Sequence, residues 1–399
     1  MAFATAWAPQ QKGLILDGCA GPGGWSWGIE HYLGLRDLGI EWDDAACATR
    51  KAAKLQTEKA DVSTFDLSPF LGRVWGLLFS PPCTKLSAAG KGIGRKFIGL
   101  LSDGIRRMLR GEDCREELRD AIFPAALAEQ RRQNARRPEG KRWSEEKVVQ
   151  AARDDAFVTV LMLEPARYLY AFLTAQDTGV PFEWAAFEQV PAAEPLWQVY
   201  AQELRRFGWS AVVGVLDLAD YGGGQNRPRA VLIASSVREV SLPPRTHGKV
   251  WGDDLFGGQL LPQVTMAQAL GWGYKMRPAP TVTGGGTAAG GAEPFGNGSR
   301  KAMREAMANP RHWAWKRPAH TVSGTVGHVG GKQSGGHLNL EPEEGAVLQT
   351  FPRTHPFQGT KGKRSRQIGD AVPPLLAAHV VSAATGIPVA AEKLALAAA

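Results

Sequence analysis

Cys83 stands directly after two prolines, in LLFSPPCTKLS (77–87), where an apolar run ends. Proline fixes its own backbone angle, so the direction of the following sulfur is constrained. A thiol in that setting is either a small buried side chain or a nucleophile. To act as a nucleophile it must ionise, and its ordinary pKa of about 8.5 has to be lowered by nearby positive charge. Arg227 and Arg229, in GGGQNRPRA (222–230), can supply that charge. Glu188, in FEQV (187–190), is a carboxyl group able to give or share a proton.

A second constellation is glycine-rich. LDGCAGPGGW (16–25) follows an apolar run and precedes a helix-like stretch. Gly21, Gly23 and Gly24 let the backbone approach a ligand. No Gly-Lys-Ser/Thr follows, so the loop is not built for a nucleoside triphosphate. A nucleoside cofactor without a triphosphate fits better. Glu41 is expected at the end of the second strand, where an acid can hold ribose hydroxyls. Trp42 beside it can stack on an adenine. Asp61, placed at the end of a third strand, can accept from an exocyclic amine. The plainer readings are a surface charge for Glu41, a core ring for Trp42 and a helix cap for Asp61.

These residues need a scaffold that brings them to one edge. GLILDG (13–18), LGIEW (38–42), KADV (59–62) and RVWGLLFS (73–80) read as strands separated by helical stretches. PFEWAAFEQV (181–190), SAVVGVLDL (210–218) and RAVLIASS (229–236) continue the rhythm. The alternation predicts an α/β fold with a doubly wound, mostly parallel sheet of seven strands. Ligands of such sheets bind beyond the carboxyl ends of the strands. Residues 91–155 carry sixteen Lys or Arg against twelve Asp or Glu and read as a charged, mainly helical insertion. Residues 241–340 are rich in Gly, Pro and Trp and contain the near-copies RPAPTVTGG (277–285) and RPAHTVSGT (317–325). EEGAVLQTFP and QIGDAVPPLLAAHVVSAA (367–384) return to helical periodicity. The expected division is a main domain of residues 10–240 and 341–390 with a smaller domain of 241–340.

Composition narrows the class. The 399 residues are 44% hydrophobic and 22% charged, as in ordinary globular proteins. Cys19, Cys47, Cys83 and Cys114 are widely spaced. They give neither a disulfide framework nor a metal-ligand pattern. A reduced, cytoplasmic monomer without a metal is expected. No secretory signal is evident, and no run of about 18 apolar residues predicts a membrane span. The net charge is +8, and Arg300–Arg366 alone holds twelve Lys or Arg against four Asp or Glu, an excess of eight. A basic surface so concentrated suggests a polyanion, nucleic acid first.

Taken in order, these segments resemble the cytosine-5 DNA methyltransferases. DGCAGPGGWS is similar to that family's cofactor loop, and GIEW and ADV to the next two cofactor segments. SPPCTKLSAAGK resembles its Pro-Cys nucleophile loop. FEQV stands where the family has Glu-Asn-Val, and QNRPR matches its Gln-x-Arg-x-Arg element. EEGAVLQTFP and QIGDAVPP resemble the two closing segments. The resemblance implies methyl transfer from S-adenosylmethionine to carbon 5 of a cytosine flipped out of double-stranded DNA. It implies catalytic roles for Cys83, Glu188, Arg227 and Arg229. It implies a cofactor site of Asp17, Cys19, Ala20, Gly21, Gly23, Gly24, Trp25, Glu41, Trp42, Asp61, Val62, Pro81, Asp370 and Ala371. Ser87, Lys91 and Gln225 would then meet DNA, with Arg277, Thr281, Arg317 and Thr321 at the edges of a target-recognition domain.

The sequence departs from the family at two points. Gln189 replaces an asparagine, and Asp370 replaces the asparagine of Gly-Asn-Ala-Val-Pro-Pro. The second change exchanges amide donors for a carboxylate that only accepts. An RNA substrate, or a non-catalytic DNA-binding relative, are the alternatives.

Overall fold

A computed structural model of the chain describes residues 10–82, 96–175, 179–248, 260–272, 301–309, 311–319, 321, 328–331 and 336–390. The first half alternates strands and helices: β1 (Leu14–Gly18), α1 (Gly24–Leu33), β2 (Leu38–Glu41), α2 (Asp44–Ala52), β3 (Thr57–Lys59) and β4 (Val74–Phe79). Four helices follow: α3 (Ile98–Met108), α4 (Arg115–Ala135), α5 (Glu145–Val160) and α6 (Glu164–Thr174). Next come β5 (Trp184–Gln189), α7 (Glu194–Arg206), β6 (Ser210–Asp217) and β7 (Pro228–Ser235). Short elements fill the next hundred residues: β8 (His247–Gly248), β9 (Leu261–Pro262), α8 (Met266–Ala269), α9 (Lys301–Ala308), β10 (His328–Gly331) and β11 (Gly336–Asn339). The chain ends in α10 (Pro342–Leu348), α11 (Lys361–Asp370) and α12 (Pro374–Thr385).

Seven strands form one sheet in the order β3-β2-β1-β4-β5-β7-β6. All described neighbours are parallel except β7, which runs antiparallel to β5 and to β6. Strand order reverses between β1 and β4, the crevice where open sheets bind ligands. The doubly wound α/β expectation therefore holds, with one reversed strand. That reversal matters for the site, because it starts β7 at the edge where β5 ends.

The strands read as continuous apolar runs because both faces are covered. Their side chains divide by alternation. Leu14, Leu16, Ala185, Phe187, Ala230 and Leu232 join one apolar cluster, with Leu101, Tyr168, Leu196 and Tyr200 from the helices on that side. Ile15, Trp184, Ala186, Val231 and Ile233 join the other, with Trp25 and Ile29 of α1 and Leu375 and Val381 of α12. A third cluster links Met266, Trp272 and Met303 to Ala346, Phe351 and Ile368.

Three details differ from expectation. β3 ends at Lys59, so Asp61 and Val62 lie beyond it; the Ala60 N–H still bonds the Glu41 carbonyl before the chain turns. The closing segment is broken, with Ala371–Pro373 between α11 and α12, because prolines cannot continue a helix ladder. Two helical stretches, Glu145–Thr174 and Lys361–Thr385, are long and apolar enough to cross a membrane by length and composition. Most of the apolar 18-residue portion of each is buried within the fold, as in core helices of a globular domain.

Candidate active site

The β4–β5 register pairs Phe79 with Phe187. Ser80 and Pro81 therefore leave the sheet beside Glu188 and Gln189. Three hydrogen bonds hold that exit. The Ser80 N–H donates to the Gly18 carbonyl at 3.3 Å. The Trp25 indole N–H donates to Ser80 Oγ at 2.8 Å. The Gln189 amide donates to the Pro81 carbonyl at 2.6 Å. The glycine loop, the strand end and β5 are thus fastened at the last residues before the Pro-Cys turn. Cys83, Ser87 and Lys91 lie outside the described residues, as do Arg277 and Thr281.

Because β7 is antiparallel, its first residues face the end of β5. Gln189 pairs with Ala230, which brings Arg229 to Glu188. Arg229 Nε lies 2.9 Å from the Glu188 carboxylate, with side chains only 11% and 6% exposed. Burial lowers the Arg229 pKa, and the Glu188 carboxylate opposes that shift. Arg227 is used differently from expectation. It is 1% exposed, and its Nη2 donates to the carbonyls of Gly369 and Ala371, each at 2.8 Å. It is a clamp on the closing segment, and its burial pulls its pKa well down.

Around the glycine loop, Cys19 adopts φ 61°, a left-handed conformation that L side chains adopt at some cost. Burial, then the Glu41 and Asp17 carboxylates, pushes its thiol up, so Cys19 stays protonated. The Ala20 N–H donates to the Ile40 carbonyl, and the Gly21 N–H to Glu41 Oε2 at 2.7 Å. Glu41 Oε1 accepts from the N–H groups of Trp42 and Asp43. Gly23 has φ 97° and forms the N-cap of α1. At Gly24 a Cβ would stand 2.1 Å from the Val372 carbonyl, so only glycine lets α1 meet the closing segment. Asp17 is wholly buried, and neither carboxyl oxygen has a hydrogen-bond partner among the described residues. Burial and neighbouring Asp37 push the Asp17 carboxyl well above its usual range, against the pull of Arg50.

Arg50 has no distinguishing sequence signal, and it was missed. It is fully buried, with donors on Thr57 Oγ1 (2.9 Å), Ser26 Oγ (2.9 Å) and the Gln56 carbonyl (2.8 Å). Ser26 in turn donates to Asp37 at 2.7 Å. This network holds α1 against β3 beneath the glycine loop.

The turn after β3 is braced from α4 and α6. Asp61 Oδ1 accepts from the backbone and hydroxyl of Ser63, each at 2.8 Å, which is the capping role of an Asx turn. Arg167 donates to the carbonyls of Val62 (2.6 Å) and Phe65 (3.1 Å). Arg115, the first residue of α4, donates to the Ser63 carbonyl at 2.7 Å and to Glu164 at 2.8 Å. Glu164 is 1% exposed and also binds Arg167, so one buried carboxylate joins both arginines. Trp42 is 56% exposed, with the Phe157 ring of α5 centred 6.2 Å away. An orphaned carboxyl under a glycine loop, open space above Gly21 and an exposed indole fit an adenosyl amino acid.

On the far side, Gln225 is wholly buried. Its amide donates to the Leu348 carbonyl (2.7 Å) and to Gln349 (3.1 Å), so it cannot reach DNA. Ala319 and Thr321 strap this element. Ala319 donates to the Gly224 carbonyl (2.7 Å), Asn226 to the Ala319 carbonyl (2.6 Å) and the Thr321 hydroxyl to the Asn226 carbonyl (2.7 Å). Arg317 is exposed, with its guanidinium 5.3 Å from the Trp313 ring centroid. Asp370 is also exposed, 3.7 Å from Arg366, while Ala371 is buried. Among the described residues no cluster of three or more His, Cys, Asp or Glu could hold a metal.

This sheet order, with a glycine loop after β1 and acids after β2 and β3, defines a methyltransferase fold. Solved structures agree. The Entamoeba histolytica methyltransferase EhMeth aligns over 94% of this chain and 98% of its own, at 9% identity and TM-score 0.51. A putative DNA modification methyltransferase encoded within an E. coli prophage covers 94% and 99%, at 15% identity and TM-score 0.50. A DNMT2 variant from Spodoptera frugiperda covers 93% and 99%, at 10% identity and TM-score 0.50. No curated protein sequence matches. The family described as C-5 cytosine-specific DNA methylase matches residues 14–110 and 267–385, and the chain belongs to it. Methyltransferases of this family generally take their methyl group from S-adenosylmethionine.

Proposed function

We propose that this protein is a DNA (cytosine-5)-methyltransferase acting on a cytosine swung out of duplex DNA. The observation that carries the reading is the Trp25–Ser80 hydrogen bond, which fastens the cofactor loop to the entry of the nucleophile loop. The Glu188–Arg229 pair stands at the same edge.

Carbon 5 of cytosine is a weak nucleophile. In the proposed reaction the Cys83 thiolate adds to carbon 6, and the displaced electron pair makes carbon 5 an enamine carbon. S-adenosylmethionine, when bound, would supply an electrophilic methyl group: carbon 5 bonds to it as the methyl–sulfur bond breaks, the pair stays on sulfur and S-adenosylhomocysteine leaves. Glu188 shares a proton with ring nitrogen 3 and the amino group, which limits charge on the ring. Arg229 orients Glu188 and can donate to the base's carbonyl oxygen. A base, such as water, then removes the carbon-5 proton; the electrons re-form the ring double bond and expel the thiolate. Extruding the cytosine costs a few kcal/mol, repaid by contacts to the flipped base.

Glu41, Trp42, Asp61 and Val62 would hold the adenosine, and Asp17 the methionine end. Residues 241–340 would read the sequence, supported by the bonds of Ala319 and Thr321 to the element that carries Arg229. Arg317 is available for a phosphate. The thiols of Cys19, Cys47 and Cys114 are free, which suits a cytoplasmic enzyme.

Incubation with labelled S-adenosylmethionine and duplex DNA, followed by bisulfite sequencing, tests the reading. Label in DNA, protected cytosines at a fixed sequence and loss of both in Cys83→Ser are expected. Label entering RNA alone, or undiminished activity of Cys83→Ser, overturns it.

A further inference from the structure

The near balance of charge in residues 91–155 conceals a segregation. Of sixteen basic and twelve acidic residues, seven basic and three acidic fall within 131–147; the remainder balances at nine and nine. The whole excess of four therefore sits where α4 turns back into α5.

That turn stands clear of the body. The α4–α5 seam buries Leu118, Ile122, Ala126, Val148 and Ala152, yet no residue from 131 to 147 is buried. The cations also differ between the two ends of the arm. At its root, Arg107 binds Glu112 and Glu117, and Arg115 binds Asp113 and Glu164. At the tip, Arg131 pairs with Glu145 and Arg132 with Glu129. Arg136, Lys141 and Arg142 are exposed and have no carboxylate partner among the described residues. The turn is nevertheless built. The Asn134 side chain bonds both the N–H (2.8 Å) and the carbonyl (3.0 Å) of Trp143. Arg137 lies 3.9 Å and Lys147 4.7 Å from the Trp143 ring centroid. The indole is thus clothed by cations, which leaves the tip without an apolar wedge for a lipid surface.

The root lies at the carboxyl edge of the sheet, where Arg115 meets the turn after β3 and Phe157 meets Trp42. With 21 residues, α4 is about 30 Å long, close to the ~34 Å of one duplex turn. We propose that the arm tip, through Arg136, Lys141 and Arg142, is a second contact for duplex DNA phosphates, away from the target base. This rests on the reading of duplex DNA as substrate. Such contacts hold the polymer without reading its sequence.

The test is fluorescence anisotropy of binding to duplexes of about 12 and about 40 base pairs across a salt series. Each phosphate contact contributes about 0.9 to the slope of log K against log salt. In Arg136→Gln/Lys141→Gln/Arg142→Gln the slope on the long duplex is expected to fall by about 2 to 3, with the short duplex unaffected. Arg136→Lys/Arg142→Lys is expected to retain the wild-type slope. Equal slopes for wild type and the triple Gln variant overturn the proposal, as does a charge-retaining variant that behaves like the Gln variant. Methyl transfer is read separately, so an arm-dependent slope without transfer would sink the enzymatic reading and leave the arm standing.

Discussion

Gln189 and Pro81 are joined by a 2.6 Å hydrogen bond from side-chain amide to carbonyl, across 108 positions of sequence. The other end of the same amide accepts the Val190 N–H, so the side chain is fixed at both atoms. Its extra methylene, relative to the family's asparagine, is the length that spans to Pro81. Gln189→Ala is expected to lower kcat about tenfold or more by releasing the loop. Cofactor affinity should change little, and Gln189→Asn should lie between. Calorimetry with S-adenosylhomocysteine beside single-turnover assays decides; a matching loss of affinity would remove the loop-positioning role.

Arg229→Ala leaves the Glu188 carboxylate buried without its partner. Breaking a buried pair in this way destabilises by about 3–5 kcal/mol. The double variant Glu188→Gln/Arg229→Ala should melt at a higher temperature than Arg229→Ala, although both are inactive. Additive losses in Tm would show that the two groups do not interact.

Asp17 sets stability against binding. Its carboxyl is raised in the folded state, so folding takes up a proton between the ordinary pKa of about 3.9 and the higher native value. Its contribution to stability is present below that window and is lost as pH rises through it. Asp17→Asn should therefore raise the Tm of the cofactor-free protein at neutral pH and weaken S-adenosylhomocysteine binding. Unchanged affinity would exclude Asp17 from the cofactor site.

Arg115 braces the turn after β3, the proposed adenosine site, through Ser63 and Glu164. Arg115→Ala should raise KM for S-adenosylmethionine several-fold with kcat nearly unchanged, and Arg115→Lys should recover part of the loss. A drop in kcat at constant KM contradicts this.

Buried histidines confer acid sensitivity. His355 bonds the Pro22 carbonyl and His379 packs on Tyr221, and burial lowers each to about 4. The unfolded chain, titrating near 6.5, binds more protons below that pH. Stability from both groups is complete above about 6.5 and is lost as pH falls toward 4. Urea melts over this range should show a decline that His379→Gln makes shallower; an identical pH profile would discount His379.

The strands and glycine loop were legible because burial on both faces leaves long apolar runs and a left-handed turn demands glycine. The direction of β7 was not, since a strand buried on both faces reads the same either way. β3 was misplaced because Thr57, Glu58 and Lys59 form a short polar edge strand without that signal. The resemblance implies a DNA contact for Gln225, but its burial is not legible locally, because its partners lie 123 and 124 positions away. Arg50 and Arg115 carry no local signal either: their meaning is the set of acceptors they satisfy on other elements.

The Arg227 clamp has a temporal consequence. Its acceptors, Gly369 and Ala371, are synthesised more than 140 residues later, together with the helix that covers Trp25 and Ile29. A nascent chain can complete the sheet on the ribosome yet still lack the segment that seats its buried guanidinium and seals α1. The pocket edge is then finished in one step, when residues 369–371 emerge, and any shorter product lacks it.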